Sequence, residues 1–129
     1  MAWGNFVYDT GLDVTAAITK FRCVKLTAAE TVGVVTAITD VPIGVPQYSV
    51  ATAEVAKGKM ASVRVIGVTE AEAKGAIAVG QQVTMETDGR VSALVGASGK
   101  RIVGICVGHP STNAGDRISL LFLAGLGLA

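Results

Sequence analysis

Residue types that carry out hydrolytic chemistry lie close together in the segment VGHPSTNAGD. This segment contains the chain's single histidine, His109, followed by Ser111 and Asp116. A serine nucleophile, a histidine base and a carboxylate that orients the histidine are the parts of a hydrolytic triad. The strand-turn-helix motif that exposes such a serine does not accompany them. The sequence therefore favours a solvent-exposed loop around His109 and predicts no catalytic residue.

Two further patterns resemble chemical motifs. Glu70 and Glu72 are spaced as an acid–base pair could be, but beside Lys74 in an Ala-rich stretch they are typical of a solvated turn. The segment GASGKR, residues 96–101, resembles a phosphate-binding loop, yet it has two residues between its glycines instead of four and Arg instead of Ser or Thr after the Lys. Neither pattern predicts a cofactor site.

The cysteines and the histidine do not predict a metal site. Cys23 and Cys106 are far apart, and His109 has no second histidine to complete a ligand set. Each cysteine lies in an apolar run, FRCVKL or IVGICVG, where a free cysteine behaves as a small buried hydrophobic residue. We expect two buried thiols rather than a disulfide.

The composition indicates a surface that is covered by partners. The 129 residues fit one domain; 50% are hydrophobic and 16% are charged, against about a quarter charged in average domains. The apolar run ISLLFLAGLGLA, residues 118–129, is too short for a membrane span of about 20 residues. The N-terminus lacks a secretory signal pattern, so we expect a cytosolic product. A net charge of +1 without a basic cluster argues against direct nucleic-acid binding.

Short runs rich in Val, Ile and Thr, separated by turn residues, predict an all-β small barrel or sandwich of about eight strands. Short helical turns are predicted at Ser49 to Lys57 and at Thr69 to Lys74, where Glu72 follows Thr69 at the spacing of a capping box. The predicted strands are Phe21 to Leu26, Val32 to Ile38, Val41 to Val45, Ala61 to Val68, Gln82 to Glu86, Arg90 to Leu94, Ile102 to Gly108 and Arg117 to Leu123.

One hairpin can be predicted to its register. In the segment METDGRVSA, a two-residue turn would pair Glu86 with Val91, placing polar opposite apolar side chains. A three-residue loop, Thr87-Asp88-Gly89, with Gly89 in the left-handed conformation pairs Met85 with Val91 instead. Because every pair then matches in character, the sequence predicts the bulged hairpin.

Three aliphatic-Gly-aliphatic triplets occur in predicted strands, centred on Gly44, Gly67 and Gly104. Their separations, 23 and 37 residues by subtraction, exclude a fixed structural repeat. Glycine inside a strand usually marks a bulge or the close approach of another backbone. The triplets therefore predict framework positions rather than a ligand-binding loop.

The ends of the chain carry the candidate interface residues. We predict an N-terminal arm of residues 1–20, a compact β domain of residues 21–123 and an apolar tail of residues 124–129. Aromatic residues cluster near the N-terminus although only 5% of the chain is aromatic, and they could anchor an arm on a neighbouring subunit. An edge strand of the chain's own sheet is the open alternative. The candidates are Trp3, Phe6, Tyr8, Leu121, Leu123, Leu126 and Leu128.

From Phe21 to Phe122, the order of elements resembles the head-decoration or capsid-cement proteins of tailed bacteriophages. The resemblance rests on the strand ending at Gly67, the Ile77-Ala78-Val79-Gly80 turn, the Asp88-Gly89 hairpin, the Gly104 strand and the closing Gly115-Asp116. It implies a homotrimeric β domain on the outer capsid surface that clamps adjoining major capsid proteins.

Two alternatives to a head-decoration protein remain open on the sequence. The first is a small oligomeric β-barrel that binds a ligand or acts as a hydrolase, with His109, Ser111 and Asp116 as its candidate group. The second is a structural subunit of a phage tail or baseplate. An enclosed pocket with converging polar groups would favour the ligand-binding barrel, and a filled core would favour a structural protein.

Overall fold

The computed structural model describes residues 7–95 and 101–123, which fold into nine strands and one short helix. Each of the eight predicted strands overlaps a strand of the structure, so the predicted all-β class is confirmed. The elements are β1 (Tyr8–Val14), β2 (Val24–Ala28), β3 (Thr31–Val34), β4 (Pro42–Pro46), α1 (Thr52–Ala56), β5 (Ala61–Glu72), β6 (Gln82–Met85), β7 (Val91–Ala93), β8 (Ile102–Gly108) and β9 (Arg117–Phe122).

The N-terminal half forms a closed five-stranded barrel in the order β1-β3-β2-β4-β5. Strand β1 closes it by pairing parallel with β3 and antiparallel with the first half of β5. The barrel interior is filled by an apolar cluster that includes Ile18, Val24, Val32 and Val63. The barrel therefore has a packed core.

The second half of β5 leaves the barrel and begins a second sheet in the order β5-β9-β8-β6-β7. This sheet curls until β7 returns to the end of β5, where Ala73 bridges Val91 and the Lys74 N–H donates to the Val91 carbonyl at 2.8 Å. Its inner face encloses the larger apolar cluster. The twelve residues of β5 are thus shared by both halves.

Phe21 joins the two halves. It lies between β1 and β2, its side chain belongs to the larger core, and its carbonyl accepts from the Glu72 N–H at 2.8 Å. The Arg117 guanidinium lies 4.6 Å from the centre of its ring. Its φ of +63° is unusual for a bulky residue. Packing on both sides holds this conformation in place.

Residues 8–14 form strand β1, although the sequence placed them in an arm. Leu12 and Val14 pack against the barrel core. This is the alternative that the sequence left open, a strand of the chain's own sheet, although β1 closes a barrel instead of lying at an edge. Its polar letters, YDTGLDV, hid the strand because much of its surface faces solvent.

The helical turn predicted at Thr69 to Lys74 is wrong, because Thr69–Glu72 is the last part of β5. Thr69 and Ala71 are buried while Glu70 is exposed, which is the alternation of a strand. Pairing with β9 overrides the helix propensity of Ala and Glu. The helical turn predicted at Ser49 to Lys57 is present as α1. There the Glu54 carboxylate accepts from the Ala51 N–H at 3.0 Å.

The bulged hairpin is confirmed. Met85 pairs with Val91, and the two strands continue in the predicted register. The Glu86 N–H donates to the Arg90 carbonyl at 2.8 Å, and Gly89 has a φ of +84°. The loop tip packs on the barrel half, since the Cys23 N–H donates to the Gly89 carbonyl at 2.8 Å.

The glycine triplets are framework positions. A Cβ atom on Gly44 would lie 2.5 Å from the Arg64 carbonyl oxygen, and one on Gly104 would overlap the Leu121 carbonyl oxygen. Gly67 pairs with Phe122 in the middle of the shared strand. At Gly44 and Gly104 the absence of a side chain lets neighbouring backbones approach closely.

Candidate functional site

The loop around His109 does not form a triad. His109 is exposed, whereas Ser111 is buried and its hydroxyl donates to the Gly75 carbonyl at 2.6 Å. The Asp116 carboxylate accepts from the N–H groups of Asn113 at 3.0 Å and Thr112 at 3.1 Å. These N–H groups lower the pKa of Asp116. The serine and the carboxylate therefore hold the loop together.

The two glutamates lie on the outer side of β5 and form ion pairs. Glu72 accepts from Arg22 at 3.1 Å and 3.3 Å, and its carboxylate lies 3.8 Å from Arg90. Glu70 lies 3.8 Å from Arg117. Because these carboxylates face arginines rather than each other, the arrangement holds strands together and does not resemble an acid–base pair.

The cysteines are free and buried, as predicted. Burial raises the pKa of the Cys23 thiol to about 12 and also raises that of Cys106. Such thiols are poor nucleophiles at neutral pH. Within residues 7–95 and 101–123, no three His, Cys, Asp or Glu side chains are grouped so as to hold a metal ion. No helix in the same part of the chain is long and apolar enough to cross a membrane.

A groove of about 610 Å³ opens on the barrel half. Leu26, Val41 and Ile43 form its apolar walls, and Lys25 and Asp40 form an ion pair of 2.9 Å beside them. The Thr36 N–H and then the Lys25 ammonium lower the pKa of Asp40 to about 2. The groove is open to solvent and its charges are already paired, so it is not an enclosed site with free polar groups.

The most distinctive surface is an apolar stripe on the outside of the shared sheet. Val68 pairs with Leu121, and Leu121 pairs with Ile105, so these three side chains lie in a row across β5, β9 and β8. Ile66 follows two residues before Val68 and pairs with Tyr8. We call the set the outer apolar stripe: Tyr8, Ile66, Val68, Ile105, Leu121 and Leu123.

Its members are exposed to different degrees. Tyr8 is 58% exposed, Ile66 is 60% exposed and Leu123 is 36% exposed, while Val68, Ile105 and Leu121 are half-buried. Contiguous exposed apolar side chains of this kind mark interaction surfaces more often than scattered ones do.

Ion pairs flank the stripe along β5. On one side, Arg64 donates to the Asp9 carboxylate at 2.8 Å and 3.1 Å. On the other side, Glu70 and Arg117 form the 3.8 Å pair. An apolar centre with a charged rim is the usual anatomy of a protein–protein interface.

The structure brings three predicted interface residues, Tyr8, Leu121 and Leu123, onto this one surface. Trp3, Phe6, Leu126 and Leu128 lie outside the described residues. The sequence analysis missed Ile66, Val68 and Ile105. Their signal was present in β5, where the outward positions run Ser62, Arg64, Ile66, Val68, Glu70 and Glu72, so two apolar residues interrupt a polar face.

Comparison with known proteins gives one family and one fold. A family profile described as phage cement protein matches residues 4–121. No curated protein matches the sequence significantly. Among solved structures, the chain is similar to the head fiber gp8.5 N base of bacteriophage phi29, with 15% identity, a TM-score of 0.66, and coverage of 92% of this chain and 95% of that one. At that identity the similarity establishes the fold alone.

Proposed function

The chain belongs to the phage cement protein family, and from this premise we propose that it binds the outer surface of an assembled phage capsid. In this role it bridges adjoining major capsid proteins and stabilises the head against the pressure of the packaged DNA. The similar fold of a phage head fiber base supports a position on the head. The protein is made in the host cytoplasm and reaches its place by binding to the shell.

The outer apolar stripe is the observation that carries this proposal. It exposes apolar side chains, with Ile66 at 60%, on a domain whose two cores are already filled. Such a surface gains stability when another protein covers it, at roughly 25 cal/mol for each Å² of apolar area removed from water. A protein that acts by covering and being covered needs a surface of this kind, and it needs no active site.

We further propose that copies of the chain associate as a homotrimer. Several weak contacts on one oligomer add through effective concentration, so a trimer can hold several capsid subunits although each contact is weak. Stabilisation follows by linkage, since a protein that binds the assembled shell better than its separated parts shifts the equilibrium towards the shell. The apolar residues beyond the described ends, Trp3, Phe6, Leu126 and Leu128, are proposed as additional contacts.

The hydrolase alternative finds little support in the geometry. Ser111 donates to Gly75 and Asp116 caps its own loop, so His109 has neither partner of a triad. Replacing His109 with alanine should therefore leave capsid binding unchanged, which separates the two functions.

The stabilising role can be tested on heads of the phage that encodes the protein. Heads prepared without it and heads with purified protein added back are heated in steps, and DNA release is followed with a nucleic-acid dye. The proposal predicts release at a lower temperature without the protein and full restoration by the wild-type chain and by the His109→Ala variant. Equal release temperatures with and without bound protein would refute the stabilising role.

A further inference from the structure

Both ends of the described chain lie beside the outer apolar stripe. Tyr8, near the N-terminal end, pairs with Ile66, and Phe122, near the C-terminal end, pairs with the next residue of β5, Gly67. Residues 1–6 therefore lead into the stripe at Tyr8, and residues 124–129 continue from it after Leu123.

The segment that leads into the stripe is rich in large apolar side chains. Residues 1–6 read MAWGNF and carry Trp3 and Phe6 without a single charged side chain. Fully extended, six residues span about 20 Å, whereas the three strands that carry the stripe are about 10 Å wide. The segment is thus long enough to cross the stripe of a facing molecule.

We propose that the outer apolar stripe of one copy binds residues 1–6 of a second copy, with Trp3 and Phe6 as anchors. This inference rests on the proposed homo-oligomer and names the surface through which its copies associate. It assigns Ile66, Val68 and Leu121 to the receiving surface. Tyr8 and the segment before it form the donated part.

Geometry favours a second copy over the chain's own segment. To cover Val68 and Leu121 of its own stripe, the chain would have to reverse direction immediately before Tyr8, where the Asp9–Arg64 ion pair at 2.8 Å ties β1 to β5. When two stripes face each other, each segment reaches the other copy in an extended conformation. Exchange of this kind uses the same surface twice and needs no additional patch.

The single tryptophan provides a direct reporter, since Trp3 is the only one in the chain. The emission maximum of the purified full-length protein is recorded over a dilution series, with sedimentation velocity on the same samples. Association through residues 1–6 predicts blue-shifted emission in the oligomer and a red shift that follows dissociation.

Two variants identify the surface. Ile66→Glu introduces a charge into the stripe, while Val79→Glu introduces the same charge at a valine that is 57% exposed and lies outside the stripe. We expect Ile66→Glu to weaken association at least 10-fold and to shift Trp3 emission to the red, with Val79→Glu behaving like wild type. Circular dichroism establishes that both variants are folded.

Three results would overturn the inference. The first is a monomer at every concentration. The second is blue-shifted emission that dilution and Ile66→Glu both leave unchanged, which would place Trp3 on its own chain or on another surface. The third is an equal effect of both variants. Because the samples contain no capsid, these results do not depend on capsid binding, which heads with added protein test separately.

Discussion

Replacing Gly44 with alanine tests whether the glycine triplets are framework positions. The added Cβ would lie 2.5 Å from the Arg64 carbonyl oxygen and 2.6 Å from Cγ1 of Val63. Relieving the contacts requires β4 and β5 to move apart by nearly 1 Å, where Val45 pairs with Arg64. Overpacking of this kind costs about 1–3 kcal/mol, and the backbone atom involved places Gly44→Ala at about 2 kcal/mol or more.

The matched control is Gly75→Ala. A Cβ at Gly75 meets no atom within 4 Å, and its φ is not positive. Removing the flexibility of glycine from the unfolded chain then stabilises the protein by about 0.4–1 kcal/mol. The two substitutions are chemically identical, yet they are expected to change stability in opposite directions.

Urea unfolding at one fixed protein concentration, followed by far-ultraviolet circular dichroism, measures both effects. With a slope of about 1.5 kcal/mol per M, 2 kcal/mol lowers the midpoint by about 1.3 M. Gly75→Ala should raise the midpoint. If Gly44→Ala unfolds at the wild-type midpoint, the close approach of β4 and β5 is not a structural requirement, and a ligand-binding role for the triplets returns.

Further substitutions test the joint, a turn and the thiols. Phe21→Ala removes a side chain that packs in the larger core and should cost about 3–5 kcal/mol in urea unfolding; a loss below 1 kcal/mol would contradict its role as the joint. The pKa of Asp40 is lowered to about 2, so its contribution to stability is complete above the unfolded value near 3.8 and disappears as the pH falls towards 2. Asp40→Asn should reduce the acid dependence of the unfolding midpoint in that window, and an unchanged dependence would refute the assignment. Cys23 and Cys106 are buried and free, so both should react with a thiol reagent in denaturant and neither in the native protein; an unreactive denatured chain would indicate a disulfide.

Local rules were sufficient where one face of a strand is buried and the other is polar. In the Met85–Val91 hairpin, a one-residue slip would have exposed Met85, so the register could be predicted from side-chain character alone. The same rule predicted buried positions for Cys23 and Cys106 because they lie within apolar runs. These features depend on residues close in sequence.

Features that depend on distant residues could not be predicted in this way. Thr69–Glu72 has the composition of a helix, and its pairing with β9, some 50 residues away, makes it a strand. Strand β1 is largely polar and exists because β3 and β5 provide both of its neighbours. The outer apolar stripe joins β1, β5, β8 and β9, so the sequence could indicate its members at the chain ends but not Ile66, Val68 or Ile105 as their neighbours.

Binding to the assembled shell is the central claim, and co-sedimentation tests it most directly. Purified protein is mixed with expanded capsids stripped of their decoration, with unexpanded procapsids and with free major capsid protein. The account predicts saturable binding to expanded capsids and none to the other two, because the protein bridges subunits whose spacing exists only in the expanded lattice. Absence of binding to expanded capsids, or equal binding to free capsid protein, would contradict it.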